Sequence, residues 1–338
     1  MDDCRSNDNR AIWEHYVGDW PPTSSVDLEV ERVRLNWPEY LNLEEPWIRR
    51  AIGVAGACHA ADDVPLAIGF FGGVAFRLHC PSCSQSGSAF FRDPADMDLS
   101  TISSQGKQVV ERLCRMVETH GTWFAHFVTT ADRNFNRMRQ GKRYQLRTLH
   151  PSTRDKPEFC KVDVVADRLE FCHRVPIVEV VTGGTDPLCT IGLVNLLLSK
   201  LQYIRAVDDG PDIPCDRVLM PFGRHEVLIG MEDKDLRDVA ALVHDHELGS
   251  GPERIDPNLL MVRLRSDWAL SRTVILNLHN IAEHPERLAA LGIDQTGTDL
   301  LRRRFSELLQ TLEPVASLAK PLWRKVVGGQ WWETVDDI

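Results

Sequence analysis

Three carboxylates and a glycine pair are the residues whose types and spacing point to chemistry. Asp96 and Asp98 stand at i and i+2 in Arg92-Asp93-Pro94-Ala95-Asp96-Met97-Asp98-Leu99, a segment that reads as a strand from Asp96 to Thr101. A strand sends i and i+2 to one face, so the two acids project together while Met97 turns away. Carboxylates side by side repel unless a cation lies between them. Magnesium or manganese is the natural partner, because such ions take a few carboxylates together with triphosphate oxygens. Asp163, in Lys161-Val162-Asp163-Val164-Val165, is expected on a nearby strand and would complete a two-metal clamp. Gly72-Gly73 follows the apolar run Leu66–Phe71 and opens a helix. Residues without Cβ let phosphate approach the backbone, and the helix start offers free N–H groups. Together these features point to metal-assisted transfer of a nucleotide from a nucleoside triphosphate.

Other side chains join this set, each with a plainer reading beside it. Arg92, four residues before Asp96, is a fork donor for triphosphate or a partner for a loop acid. Lys200 ends an apolar helix stripe, facing the triphosphate or snorkelling at a domain edge. Asp235 and Asp238 share a helix face at i and i+3, as part of the site or as acids near a helix N-terminus. Arg133, Arg137, Arg139, Lys142, Arg143 and Arg147 form the one clear basic cluster, read first as a solvated hairpin face. His244 and His246, at i and i+2 on a helix, do not share a face and make no metal pattern. Cys172-His173 lacks the glycine elbow of a nucleophile and reads as a packed or surface pair. Trp331-Trp332 reads as a docking contact.

The elements that must position these residues follow from periodicity. Residues 1–43 form an aromatic, acidic lead-in with Pro21-Pro22 and Pro38. Glu44–Ala61 has helical spacing, Leu66–Phe71 is a buried strand, and the helix after the glycines runs to His79. Pro81–Asp93 is rich in Ser, Gly and Cys and reads as a loop. Lys107–Thr119 is an amphipathic helix with Val109, Leu113, Met116 and Val117 on one face. Trp123–Thr130, Tyr144–Leu149 and Lys161–Ala166 read as strands. From about residue 190 the pattern is helical, over Leu193–Ile204, Lys234–His246, Thr273–His284, Leu300–Leu312 and Pro321–Val327. The expected fold class is α+β, with a small mixed sheet and flanking helices over residues 44–189. A helical domain over 190–338 would close over the nucleotide.

Composition narrows the class. The 338 residues are 43% hydrophobic and 26% charged, an ordinary globular balance. No run of about eighteen apolar residues predicts a membrane span, and the polar, acidic start does not read as a signal peptide. Nine scattered cysteines argue against a disulfide framework and for a cytoplasmic setting. Cys80-Pro81-Ser82-Cys83 has no second pair at zinc-site spacing and reads as loop thiols. A net charge of −10 argues against a nucleic-acid coat role.

In order along the chain, Gly72-Gly73-Val74-Ala75, Arg92 with Asp96-Met97-Asp98, Lys161-Val162-Asp163, Leu196 to Gln202 and Lys234-Asp235-Leu236-Arg237-Asp238 resemble motifs of the nucleotidyltransferase-fold proteins. These form the DNA polymerase β-like superfamily, and the likeness is to the bacterial group related to the AbiEii toxin of abortive-infection systems. It covers roughly residues 45–250, and the tail around Trp331-Trp332 also looks like that of relatives in the group. The resemblance implies a nucleotidyltransferase fold that moves a nucleoside monophosphate from a nucleoside triphosphate to an acceptor hydroxyl. The hydroxyl would lose its proton to Asp163, or to solvent through metal activation alone. By position it assigns Gly72 and Gly73 to the phosphate turn, Asp96, Asp98 and Asp163 to metal, and Lys200, Asp235 and Asp238 to the nucleotide site. Many relatives carry a serine after the first glycine, whereas Gly73 has no hydroxyl to offer phosphate. The other reading kept open is a nucleotide-binding or toxin–antitoxin interaction protein without turnover. The acceptor, whether small molecule, RNA or protein, is not readable from the residues.

Overall fold

The computed structural model describes residues 37–43, 45–59, 66–120, 142–149, 159–177, 189–208, 217–219, 225–316 and 331–332. The expected strand Trp123–Thr130 and helix Pro321–Val327 lie outside these residues, as do Arg133, Arg137 and Arg139 of the basic cluster. The chain divides into two compact units. Unit 1 comprises residues 1–84, 92–168 and 176–191, and unit 2 comprises 85–91, 169–175 and 192–338.

Unit 1 is built on a mixed sheet. Helix α1 (Pro46–His59) starts with proline at its first position, where a missing N–H costs nothing, and the Glu45 carboxylate accepts from the Ile48 N–H at 2.9 Å. Strand β1 (Ile68–Phe71) is buried along its length, and helix α2 (Gly72–His79) leaves it without a linker. The segment expected as loop contains a short helix, α3 (Pro81–Ser84), with proline again at its start. Its four residues carry too little periodicity to register in the sequence. Strand β2 (Met97–Thr101), helix α4 (Gly106–His120), strand β3 (Arg143–Leu149) and strand β4 (Phe159–Ala166) complete the set. Val109 and Leu113 of α4 are buried as expected; the side chains of Met116 and Val117 lie outside the description.

The strand order is β1-β2-β4-β3. Strand β1 runs antiparallel to β2, β2 parallel to β4, and β3 antiparallel to β4. Alternation and register sort the side chains. Met97, Leu99, Tyr144, Leu146, Thr148, Cys160, Val162 and Val164 share one face. Arg50 of α1 reaches that face, with its guanidinium 3.4 Å from both Cys160 Sγ and Thr148 Oγ1. The opposite face carries Asp98, Asp163, Gln145 and Arg143. The face with the acids also carries buried Phe71, Ser100 and Val165.

Unit 2 is mostly helical but contains strands, and the three that fall within residues 190–338 were missed by the helical reading of that stretch. A short pair, β5 (Arg168–Glu170) and β6 (Arg174–Pro176), precedes helix α5 (Gly192–Leu201). Then β7 (Arg205–Asp208), β8 (Arg217–Leu219) and β9 (His225–Ile229) form an antiparallel sheet in the order β7-β9-β8. These strands span three to five residues, too short for alternation to stand out against the helical segments on either side. Helices α6 (Asp233–Asp245), α7 (Pro257–Arg265), α8 (Trp268–Glu283), α9 (Pro285–Ala290) and α10 (Gln295–Ala316) follow. Asp256 and Asp267 cap α7 and α8, each accepting from two backbone N–H groups of the first turn. Leu301, Phe305, Leu308 and Leu312 of α10 are fully buried, the i, i+4, i+7 stripe of a packed helix. No described helix is long and apolar enough to cross a membrane.

Asn277 of α8 ties the end of α5 in place. Its amide donates to the carbonyls of Leu201 and Tyr203, both at 2.8 Å, in a buried setting. Asn277→Ala is expected to lower unfolding free energy by about 2–3 kcal/mol, because two carbonyls lose their donor where water does not replace it. Urea denaturation checks this, and Asn277→Asp should not restore the loss, since a carboxylate cannot donate.

Candidate functional site

The sheet register supplies the geometry that the spacing alone left open. Asp98 of β2 and Asp163 of β4 are direct partners in the parallel ladder. Their backbones are therefore about 4.8 Å apart, with both carboxylates on the same face. Strand β2 begins at Met97, so Asp96 sits on the bend just before it rather than on the strand. Its charge is felt at Cys160. Burial holds that thiol above its usual range, the Arg50 guanidinium opposes the rise, and Asp96 adds to it. Of the three expected metal carboxylates, the strands thus pair Asp98 with Asp163. Among the described residues no three His, Cys, Asp or Glu side chains gather closely enough to hold a metal ion.

Gly72 makes room for Asp98. Phe71 is the antiparallel partner of Asp98, which puts the first residue of α2 directly beside that carboxylate. A Cβ built on Gly72 would lie 1.9 Å from Asp98 Oδ2, and Gly72 has φ +64°, a left-handed conformation that side chains resist. Helix α2 has no side-chain cap at its start, so its first N–H groups and the Asp98 carboxylate occupy the same place. Gly73 answers to a different neighbour. A Cβ there would meet the Arg92 guanidinium nitrogens at 3.3 and 3.4 Å and Pro94 at 3.2 Å. Arg92 therefore stands over the glycine turn, the position in which a fork donor and backbone amides act on one anion.

Asp163 has a partner that the sequence did not reveal. Arg143 Nη2 lies 2.7 Å from Asp163 Oδ2, although Asp163 is only 7% exposed. The other oxygen, Oδ1, is buried with no hydrogen-bond donor. Arg143 was expected on a solvated hairpin face with Lys142 and Arg147. Lys142 is exposed, but the β3–β4 register turns Arg143 to the carboxylate face, two residues from Gln145 and diagonal to Asp163. The spacing of Arg143 and Gln145 was visible in the sequence; the register that gives it meaning was not. The side chain of Arg147 lies outside the description.

The second set of candidates assembles within unit 2. Lys200 Nζ lies 2.8 Å from Asp235 Oδ1 and 3.2 Å from Asp238 Oδ2. Both acids are buried, at 4% and 2% exposed, and face Lys200 from one side of α6, as their i and i+3 spacing required. Lys200 is neither snorkelling nor solvated: it neutralises a buried acidic pair. The remaining residues behave as packing groups. His173 shares a hydrogen bond with Thr273 Oγ1 at 2.8 Å, and Cys172 donates to the Ile204 carbonyl. His244 pairs with Asp245, while His246 contacts the Glu253 carbonyl. Trp331 donates to Thr273 Oγ1 and meets Trp332 edge-on. Cys80 and Cys83 are buried and in no disulfide, beside and within α3.

Two outcomes test these arrangements. Gly72→Ala should cost about 2 kcal/mol or more, because left-handed strain alone costs roughly 1–2 kcal/mol and Asp98 must also move. Gly73→Ala should cost less, since Arg92 can yield; guanidinium denaturation of both variants checks the ranking. Lys200→Met should cost about 3–5 kcal/mol by leaving two buried acids without their cation. Adding Asp235→Asn and Asp238→Asn to that variant should recover most of the loss in the same measurement.

No protein-family model matches this chain, and no curated protein matches it. Its chemistry is to be inferred from these side chains.

Proposed function

We propose that the chain is a metal-dependent nucleotidyltransferase of nucleotidyltransferase fold. It would move a nucleoside monophosphate from a nucleoside triphosphate to an acceptor hydroxyl. The observation that carries this reading is the register pairing of Asp98 with Asp163 beside the Gly72-Gly73 turn. Two carboxylates on one sheet face, a helix start that admits no Cβ and a guanidinium over the turn are the parts that a metal–triphosphate needs.

Two carboxylates would suffice for an ion that takes its remaining ligands from triphosphate oxygens. Asp163 Oδ1 is a buried oxygen without a donor, and Asp98 is its ladder partner. Asp98 and Asp163, with Asp96 from the preceding bend, would hold magnesium or manganese. Such an ion, when bound, neutralises charge on the triphosphate and on the attacking oxygen. The amides of Gly72 and Gly73 and the fork of Arg92 would hold the phosphates. The acceptor oxygen bonds to the α-phosphorus as the bond to the bridging oxygen breaks. Pyrophosphate leaves with that electron pair, and the hydroxyl proton passes to Asp163 or to solvent. Catalysis on this account is positioning and charge neutralisation. Lys200, Asp235 and Asp238 are assigned to the nucleotide site by the resemblance, and their buried ion triad would then fix the helices that carry them.

A second reading, nucleotide binding without turnover, takes its support from Arg143, which already neutralises Asp163. Pyrophosphate release separates the two. With magnesium, a mixture of ribonucleoside triphosphates and cell extract as acceptor source, the wild-type protein should release pyrophosphate. Asp98→Asn and Asp163→Asn should lower the rate by at least about a hundredfold, the scale on which loss of a transition-state charge partner acts. Undiminished release in both variants would overturn the assignment. Nucleotide-dependent thermal stabilisation with no release would favour the binding reading.

A further inference from the structure

Two carboxylates paired across a parallel ladder repel each other whenever no cation lies between them. The sheet nonetheless holds Asp98 and Asp163 as direct partners. Arg143 meets that repulsion from within the fold. Its Nη2 sits 2.7 Å from Asp163 Oδ2, with the Arg143 side chain 20% exposed and that of Asp163 10% exposed. Strand β3 fixes this placement, since Gln145 is the ladder partner of Asp163 and Arg143 lies on the same face. Only one oxygen of Asp163 is engaged; Oδ1 is buried with no donor.

From this geometry we infer that Arg143 is a resident stand-in for the metal, a positioning residue that competes with a divalent cation for Asp163. The inference rests on the reading of Asp98 and Asp163 as metal carboxylates. While the site lacks metal, the guanidinium neutralises Asp163 and keeps the strand pair together. When a dication binds at Oδ1, two positive groups share one carboxylate, and the guanidinium must loosen or leave Oδ2. Metal affinity is thereby set below what the carboxylates would give alone, and a metal that arrives already bound to triphosphate is favoured, because the phosphates offset the repulsion. A guanidinium suits this task because it keeps its charge at any physiological pH and pairs through a planar fork.

The test is manganese binding to the full chain, followed by electron paramagnetic resonance. Arg143→Gln removes the charge and keeps an amide donor on a shorter side chain. It should bind manganese without nucleotide about tenfold or more tightly than wild type, a tenfold change being about 1.4 kcal/mol. Arg143→Lys should stay near wild type, and Asp163→Asn should lose binding. Affinity in Arg143→Gln equal to or below wild type, with Asp163→Asn still defective, would overturn the stand-in role and leave the metal site intact. No manganese binding by any form, with or without triphosphate, would overturn both. Should Arg143→Gln fail to fold, nitrogen-15 NMR of arginine guanidinium groups in wild type answers the same question. One slowly rotating guanidinium should be resolved without metal and should average on adding magnesium; a signal unmoved by saturating metal would overturn the inference.

Discussion

The parallel pairing of β2 with β4 is the constraint on which the rest depends. It sets Asp98 opposite Asp163, Leu99 opposite Val164 and Met97 opposite Val162 in a single register. A slip of one residue in either strand would turn that strand's carboxylate to the opposite face and separate the pair. The core therefore enforces the site: Leu99, Val162 and Val164 are fully buried, and they fix the register that aligns the acids. The antiparallel strand β1 extends the same logic, since its register brings the start of α2 to Asp98. The register of the buried strands thus sets where the acids stand.

Both units manage buried charge by pairing it with the opposite sign. In unit 1, Arg143 serves Asp163, and buried Arg77 spans Glu45 and Asp93 at 2.8 and 3.0 Å. Arg77 thereby links the segment before α1 to the loop that leads to β2. In unit 2, Lys200 serves Asp235 and Asp238. Such pairs give little net stability, since desolvation offsets much of the attraction, but losing one partner is costly. Their effect is to hold named elements in one arrangement: β3 on β4, and α5 on α6. Arg50 differs, because its guanidinium meets a thiol and a hydroxyl, and burial lowers its pKa from the usual arginine value.

Much of the candidate site was legible because it depends on local periodicity. The i, i+3 rule put Asp235 and Asp238 on one helix face, whereas the i, i+2 rule expected of Asp96 and Asp98 did not apply, because only Asp98 stands on the strand. The glycine pair after an apolar run marked the start of α2, which begins at Gly72 itself. What was not legible depends on register between distant segments. Arg143 was grouped with its charged neighbours because nothing local distinguishes a strand residue turned inward from one turned outward. The sheet β7-β9-β8 was hidden for a related reason: it joins strands of three to five residues that are meaningful only once paired. The bend at Asp96 was also missed, since periodicity does not fix where a strand begins to within a residue.

The most direct test of the central claim is anomalous diffraction from crystals grown with manganese and a non-hydrolysable nucleoside triphosphate. The account requires a manganese peak bridging the carboxylates of Asp98 and Asp163, with triphosphate density over Gly72, Gly73 and Arg92. Triphosphate and manganese bound elsewhere, with the guanidinium of Arg143 still on Asp163 and no metal between the two acids, would contradict it.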